Sequence, residues 1–465
     1  MAGILSTRGV DLGSVRASQQ SFFQSGATET LSFRLEQLDK LQAQLRAHET
    51  QILEALTKDL RKPSFEGYAS DYALIHEEIN YARKHLKSWM KKRRVPTGIA
   101  YWPARSYVQA RPLGQVLIIG PWNYPMQLVL LPLVGAIAAG NTVVIKPSEL
   151  CPHSSGLLAK IIGDVFKDEY ISVFEGDAAV SEALLDQPWD HIFFTGSTPV
   201  GRIVAEKAAK HLTPTTLELG GKSPVFVTKK ANIDTAAKRV VFGKFFNAGQ
   251  TCVAPDYVLV DRTVHDQFLE AVKRHLESFF GKNPKDSNDL ARIINRRHFQ
   301  RLMGLLEGAE IEVGGDANEE DCYISPTVLK NVSWADKVMK DEIFGPIMPI
   351  IPYTELDQAM AEVEGRDKPL ALYIFSDDPA EQEFINRRLR FGGGCINDTM
   401  VHVATHFLPF GGVGSSGQGA YHGKYSFERF SHMRATMKNP SFFDVPVRYP
   451  PYKSWKLKTA RFLLG

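Results

Sequence analysis

Cys252 stands in the stretch FFNAGQTCVAP (Phe245–Pro255), after a run of small and polar residues. A thiol in such company has two readings. As a nucleophile it attacks as the thiolate, which calls for a loop that lowers its pKa and leaves it reachable. Ala248 and Gly249 would then let reacting groups come close. As a structural residue it simply packs, the common fate of a single cysteine. Glu218 lies between two leucines in TLELGGKSP. Burying a carboxylate there is costly and raises its pKa toward the range of a general base, unless an alternating strand turns it to water. In IKPSE, Lys146 and Glu149 follow an apolar run, at the strand end where open α/β sheets bind ligands. They could grip the hydroxyls of an adenosine ribose, or form an exposed ion pair. HIFFTGSTPVGRIVAEKAAK reads as strand, glycine turn and helix. Gly196 and Ser197 would present backbone N–H groups at a helix start suited to phosphate, and Gly201 would allow close packing. The spacing Gly196-x4-Gly201 is not the usual GxGxxG, so a plain turn is the competing reading. FGGVGSSGQGAYHGKYS (Phe410–Ser426) lacks the GxxxxGK[ST] order of a P-loop and fits a glycine-rich loop shaping a cleft.

These residues need elements to hold them. Leucine and isoleucine recur between charges from Leu31 to Leu60, which predicts an amphipathic helix or helix pair broken near RAHETQ. Helix continues through EGYASDYALIHEEINYARKHLKSWMKK to Pro96. Strand-like VLIIG, TVVIK, ISVFEG and HIFFTG then alternate with helical stretches, the signature of an open parallel α/β sheet. YVLVD, ALYIFS and GGGCIND belong to a second α/β series. The predicted organisation is 1–98 with 113–216, then 217–431, with 99–112 and 432–465 as a bridging segment and tail. IAYWPARSYVQARP (Ile99–Pro112) alternates like an excursion hairpin, and the aromatic C-terminal residues could pair with it or with a second subunit.

The whole chain sets outer limits. Its 465 residues suit about three ordinary domains, or two large ones sharing a cleft. With 55 basic against 52 acidic residues, no nucleic-acid partner is implied. The 4 cysteines lie far apart without a CxxC, against a disulfide framework or a zinc site and in favour of a reducing compartment. The N-terminus lacks a long apolar core, against a secretory signal, while its Ser and Arg leave organellar import open. Pro112–Ile145 runs 34 residues without a formal charge, long enough for a membrane span. Pro121, Asn123, Pro125, Pro132 and Asn141 break it into strand, turn, buried helix and strand.

Taken together, PWNYP, IKPSE, FTGSTPVG, LELGGKSP, NAGQTCVAPDY, DEIFGP, LALYIFS and HFLPFGGVGSSGQGAYHGKYSFERFSH resemble the aldehyde dehydrogenase superfamily, and its class 3, fatty-aldehyde-type branch in particular. The motifs come in the family's order over about residues 20 to 435, and the 34-residue step from Glu218 to Cys252 also matches. The resemblance implies two open α/β domains, one Rossmann-like for the cofactor and one catalytic, plus a small oligomerisation segment. It implies that Cys252 attacks an aldehyde carbonyl, that the Asn123 amide and the Cys252 backbone N–H hold the oxyanion, and that Glu218 activates water to release the acid. For the dinucleotide it implies Lys146 and Glu149 at the adenosine ribose, Gly196, Ser197, Thr198 and Gly201 about the pyrophosphate, and Glu342 with Phe344 at the nicotinamide ribose. Trp122 and Leu219 belong to the same cofactor set.

Glu149 would repel a 2′-phosphate, so NAD is expected first and NADP second. Tyr68, Tyr124, Met126 and Phe242 are expected around a tunnel for medium- to long-chain or aromatic aldehydes, though each could be core. The resemblance further implies a cytoplasmic homodimer built through the segment near 99–112. The tail RYPPYKSWKLKTARFLLG could instead lie on an anionic membrane, but packing at the dimer contact or over the substrate funnel is the preferred reading. A CoA-acylating enzyme is disfavoured by Glu218. A non-catalytic protein reusing the fold is disfavoured by the joint presence of Cys252, Glu218 and Asn123.

Overall fold

The computed structural model describes residues 5–464. Its first sheet has six strands in the spatial order Gly417–Gln418, Thr215–Glu218, His191–Thr195, Gln115–Ile119, Thr142–Lys146 and Ile171–Val173. All neighbours are parallel except the first pair. The strands Gln115–Ile119, Thr142–Lys146, Ile171–Val173 and His191–Thr195 are buried at every residue, which is why they read as continuous apolar runs rather than alternating ones. The helix Gln127–Ala139 between two of them is buried at every position and stops at Gly140, whose φ of 91° a β-carbon would disfavour. The long uncharged stretch is thus a strand–helix–strand unit. Among the described residues, no helix is long and apolar enough to cross a membrane.

The second sheet has seven strands, ordered Glu310–Val313, Thr327–Lys330, Ile347–Tyr353, Tyr257–Asp261, Pro224–Val227, Ala371–Phe375 and Gly393–Ile396. Only the Glu310–Val313 edge runs antiparallel. Upstream of both sheets, the leucine-rich region forms the helix pair Leu31–Ala47 and Glu49–Leu60, divided at His48. Leu38, Leu41, Leu45, Ile52 and Leu56 of this pair are buried in the core shared with the first sheet.

Two expectations need correction. The segment 99–112 is not a hairpin. Arg105–Pro112 is the middle strand of a three-stranded antiparallel sheet, flanked by Arg93–Val95 and by Ser431–Lys438. The alternation that suggested a hairpin belongs to one long strand, paired with Arg93–Val95 just upstream and with the distant Ser431–Lys438. The boundary expected between 216 and 217 is also displaced. Thr215–Glu218 completes the first sheet and Pro224–Val227 opens the second, so the chain crosses over residues 219–223. The chain also returns before 431. Gly417–Gln418 joins the first sheet, and the helix Gly423–Arg429 packs on Gln127–Ala139, where Ser426 leaves no room for a β-carbon at Gly135.

Candidate active site

The helix Ile233–Phe245 ends in the tight turn Phe246–Gly249, in which Asn247 and Ala248 both take a left-handed φ of 51°. Two consecutive non-glycine residues in that region are strained and persist only when neighbours over-determine them. Here they are held from several sides. The Asn247 N–H donates to Glu66 Oε2 (2.9 Å), and its side-chain amide donates to the carbonyls of Asn123 (3.1 Å) and Gln250 (3.2 Å). Gln250 Nε2 donates to the carbonyls of Asn247 (3.1 Å) and Arg292 (2.9 Å). Beside Cys252, the Tyr124 hydroxyl meets Thr251 Oγ1 at 2.5 Å and the Tyr373 hydroxyl donates to the Val253 carbonyl at 2.5 Å.

Asn123 is buried, and its Nδ2 donates to the Gln250 carbonyl at 3.0 Å. One N–H of the amide is thereby committed, which orients the second. The backbone of the same residue is gripped from below. Lys62 Nζ donates to the Asn123 carbonyl (2.9 Å) and pairs with Asp71 (2.7 Å), both side chains being fully buried. Asp71 Oδ1 in turn accepts the Met126 and Gln127 N–H groups at the start of the buried helix.

Glu218 ends its strand 2 % exposed, and neither carboxylate oxygen has a protein hydrogen-bond partner. Burial pushes its carboxyl well above the usual range, opposed only by Arg429. Glu342 faces the same region. Its carboxylate stands where a β-carbon at Gly220 would be, and burial raises its pKa to about 8. Cys252 lies within electrostatic reach of both carboxyls. Burial first, then Glu342 and Glu218, push its thiol up rather than down. This corrects the expectation of a loop that lowers the thiol pKa, since no cation offsets the desolvation.

The other residues singled out in the sequence fall around this centre. Lys146 ends the strand Thr142–Lys146, is nearly fully buried, and pairs with the partly exposed Glu149 at 2.5 Å. Ser197 is the N-cap of the helix Thr198–Ala209, yet its side chain caps no backbone N–H. The first N–H groups of that helix therefore remain open to an external anion. Thr198 Oγ1 is committed to the Ser415 carbonyl (3.2 Å), and Gly201 packs directly on Leu219. Trp122 meets Phe344 edge to face at 5.4 Å. A strand-end lysine and glutamate, an uncapped helix start and the close approach of Glu342 to Gly220 are features that suit a dinucleotide.

Residues 11–436 match the profile of the aldehyde dehydrogenase family. The chain belongs to that family. It is 47% identical over 436 residues to the 4,4'-diaponeurosporen-aldehyde dehydrogenase of Staphylococcus aureus, covering 93% of this chain and 95% of that protein. Identity is 45% over 431 residues to the dimeric NADP-preferring aldehyde dehydrogenase of Canis lupus familiaris, covering 92% and 95%. Among solved structures, the substrate-bound Staphylococcus aureus AldH superposes with a TM-score of 0.95 at 46% identity, over 97% of this chain and 99% of that one. The protein is an NAD(P)-dependent aldehyde dehydrogenase.

Of the four expected tunnel residues, Phe242 lines a cavity with Pro63, Phe65, Glu66, Phe246, Phe279, Phe280 and Asp289. Tyr124 and Met126 are buried at the PWNYP turn, and Tyr68 is exposed against Tyr72. Sequence reasoning missed the Lys62–Asp71 clamp, Glu66, Gln250 and Tyr373. It also missed Lys222, which pairs with Asp256 and donates to the carbonyls of Val338 and Asp341 (both 2.9 Å), holding the segment that carries Glu342. Most of them act on backbone far away in sequence, as Lys62 does on Asn123, Glu66 on Asn247 and Lys222 on Val338 and Asp341.

Proposed function

We propose that this aldehyde dehydrogenase oxidises medium- to long-chain aliphatic or aromatic aldehydes to carboxylic acids, with Cys252 as nucleophile, Asn123 as oxyanion donor and Glu218 as base. The observation that carries this reading is a half-buried Cys252 within electrostatic reach of Glu218, together with an oriented Asn123 amide and a Glu218 carboxyl without protein partners. Cys252 Sγ adds to the carbonyl carbon, giving a thiohemiacetal whose oxygen is held by the second Asn123 N–H and the Cys252 backbone N–H. A bound nicotinamide supplies the acceptor for the hydride that leaves this carbon, and a thioester remains on Cys252. Glu218 then takes a proton from water as the water attacks the thioester, and the acid departs.

Lys146 and Glu149 would hold the adenosine ribose, the start of the helix Thr198–Ala209 the pyrophosphate, and Glu342 with Phe344 the nicotinamide ribose. NAD is the preferred cofactor in this reading, since Glu149 disfavours a 2′-phosphate. Its partly exposed side chain leaves room to turn aside for NADP, the cofactor preferred by the canine relative. The chain is proposed to act as a homodimer through the three-stranded sheet at 93–112 and 431–438, with the tail packed at that contact.

The deciding experiment follows NADH formation with hexanal. Cys252→Ser should be inactive, and Glu218→Gln should give one burst of NADH and then stall. Full steady turnover in either variant would remove that residue from the mechanism. Acid formed without added CoA separates this reading from an acylating enzyme.

A further inference from the structure

Beside the nucleophile turn lies a cavity of about 260 Å³ walled by Phe65, Phe242, Phe246, Phe279 and Phe280, with Glu66 as a polar group in that wall. Phe246 is also the first residue of the left-handed turn, so the cavity wall and the turn share a residue. Glu66 joins them a second time through its 2.9 Å bond from the Asn247 N–H. Directly after Glu66 the chain widens into a π-helix, Gly67–Tyr72, an arrangement that recurs at functional sites.

We propose that Glu66 is a positioning residue for Cys252, holding the strained turn that leads to the thiol through the Asn247 N–H. The inference rests on the aldehyde-oxidising reading above and deepens it. Asn247 and Ala248 are the strained residues, and the Asn247 N–H has no other acceptor among the bonds of the turn. Without Glu66 that donor faces an aromatic wall, and the turn relaxes toward ordinary backbone angles, shifting the thiol five residues on. The charged groups facing Glu66 are Lys62, already paired with Asp71, and Asp289 across the cavity.

The test compares Glu66→Ala and Glu66→Gln with wild type, using propanal and decanal, with melting temperature measured alongside. Glu66→Ala should lower kcat about tenfold for both aldehydes, the loss expected for one charge-assisted hydrogen bond. Glu66→Gln keeps an oxygen to accept the Asn247 N–H and should recover most of kcat. The inference is overturned if kcat in Glu66→Ala matches wild type, or if Glu66→Gln fails to recover it while its melting temperature stays that of wild type. Failure of the aldehyde-oxidising reading would show separately, as wild-type turnover in Cys252→Ser.

Discussion

Asn123 shows how much work one amide does in this site. Its carbonyl is fixed by Lys62 and Asn247, and one of its N–H groups by Gln250, so the remaining N–H is aimed before any substrate arrives. Preorganisation of this kind stabilises developing negative charge without reorganisation, and removing such a donor costs about 3 kcal/mol. Asn123→Ala should therefore lower kcat roughly a hundredfold with a much smaller change in KM, read by steady-state kinetics with hexanal. At this scale the sequence was informative about identity. Cys252, Glu218 and Asn123 are residue types with distinct chemistry in distinctive local strings. It was misleading about charge. The thiol is raised by Glu342, 90 residues downstream, and by burial that no local pattern displays.

Strands, turns and helix starts were readable because each leaves a local mark. The βα turns at Gly196 and Lys146 follow apolar runs, and the buried helix ends at a glycine. The clamp formed by Lys62 and Asp71 left no such mark. Lys62 lies just before a short helix and Asp71 inside the π-helix that follows, and their burial comes from packing against the PWNYP turn. Breaking a buried pair strands the surviving charge, at a cost of about 3–5 kcal/mol, whereas replacing both members by apolar residues can be nearly neutral. Lys62→Met should thus lower the urea midpoint sharply. The double variant Lys62→Met/Asp71→Leu should recover most of that stability. Its activity should stay low, because neither replacement can hold the Asn123 carbonyl. Equal recovery of stability and activity would show that the clamp serves the core alone.

Across the whole molecule, buried titrating groups set how stability follows pH. Burial raises Glu78, which accepts the Gly423 N–H at 2.7 Å, to about 7, alongside Glu66 at about 7 and Glu342 at about 8. Burial lowers His191 and His422 to about 3, and His298 and His402 to about 4. A raised carboxyl adds stability that is complete below its unfolded value and is lost as pH climbs through its folded value. A lowered histidine adds stability present above its unfolded value and lost as pH falls through its folded value. The two sets oppose one another below about pH 6.5, and above it the carboxyls act alone. The melting temperature should accordingly decline between pH 6.5 and 8. Glu78 accounts for up to about 1 kcal/mol of that decline, the remainder of its shift from 4.5 to about 7 being lost already between pH 4.5 and 6.5. Glu78→Gln should flatten the decline, as scanning calorimetry across that range would show; an unaltered slope would assign it to other groups.

The pairing of Gly417 with Glu218 carries a consequence for how the protein is made. Two residues near the end of the chain form the outermost strand of the first sheet, beside the proposed base. As the polypeptide leaves the ribosome, that edge stays bare until almost everything has been translated. A fragment ending near 222 would emerge with an unpaired strand edge, the kind of surface that recruits foreign strands. The amino-terminal half is therefore expected to lean on chaperones until the last glycines arrive, and to resist expression on its own.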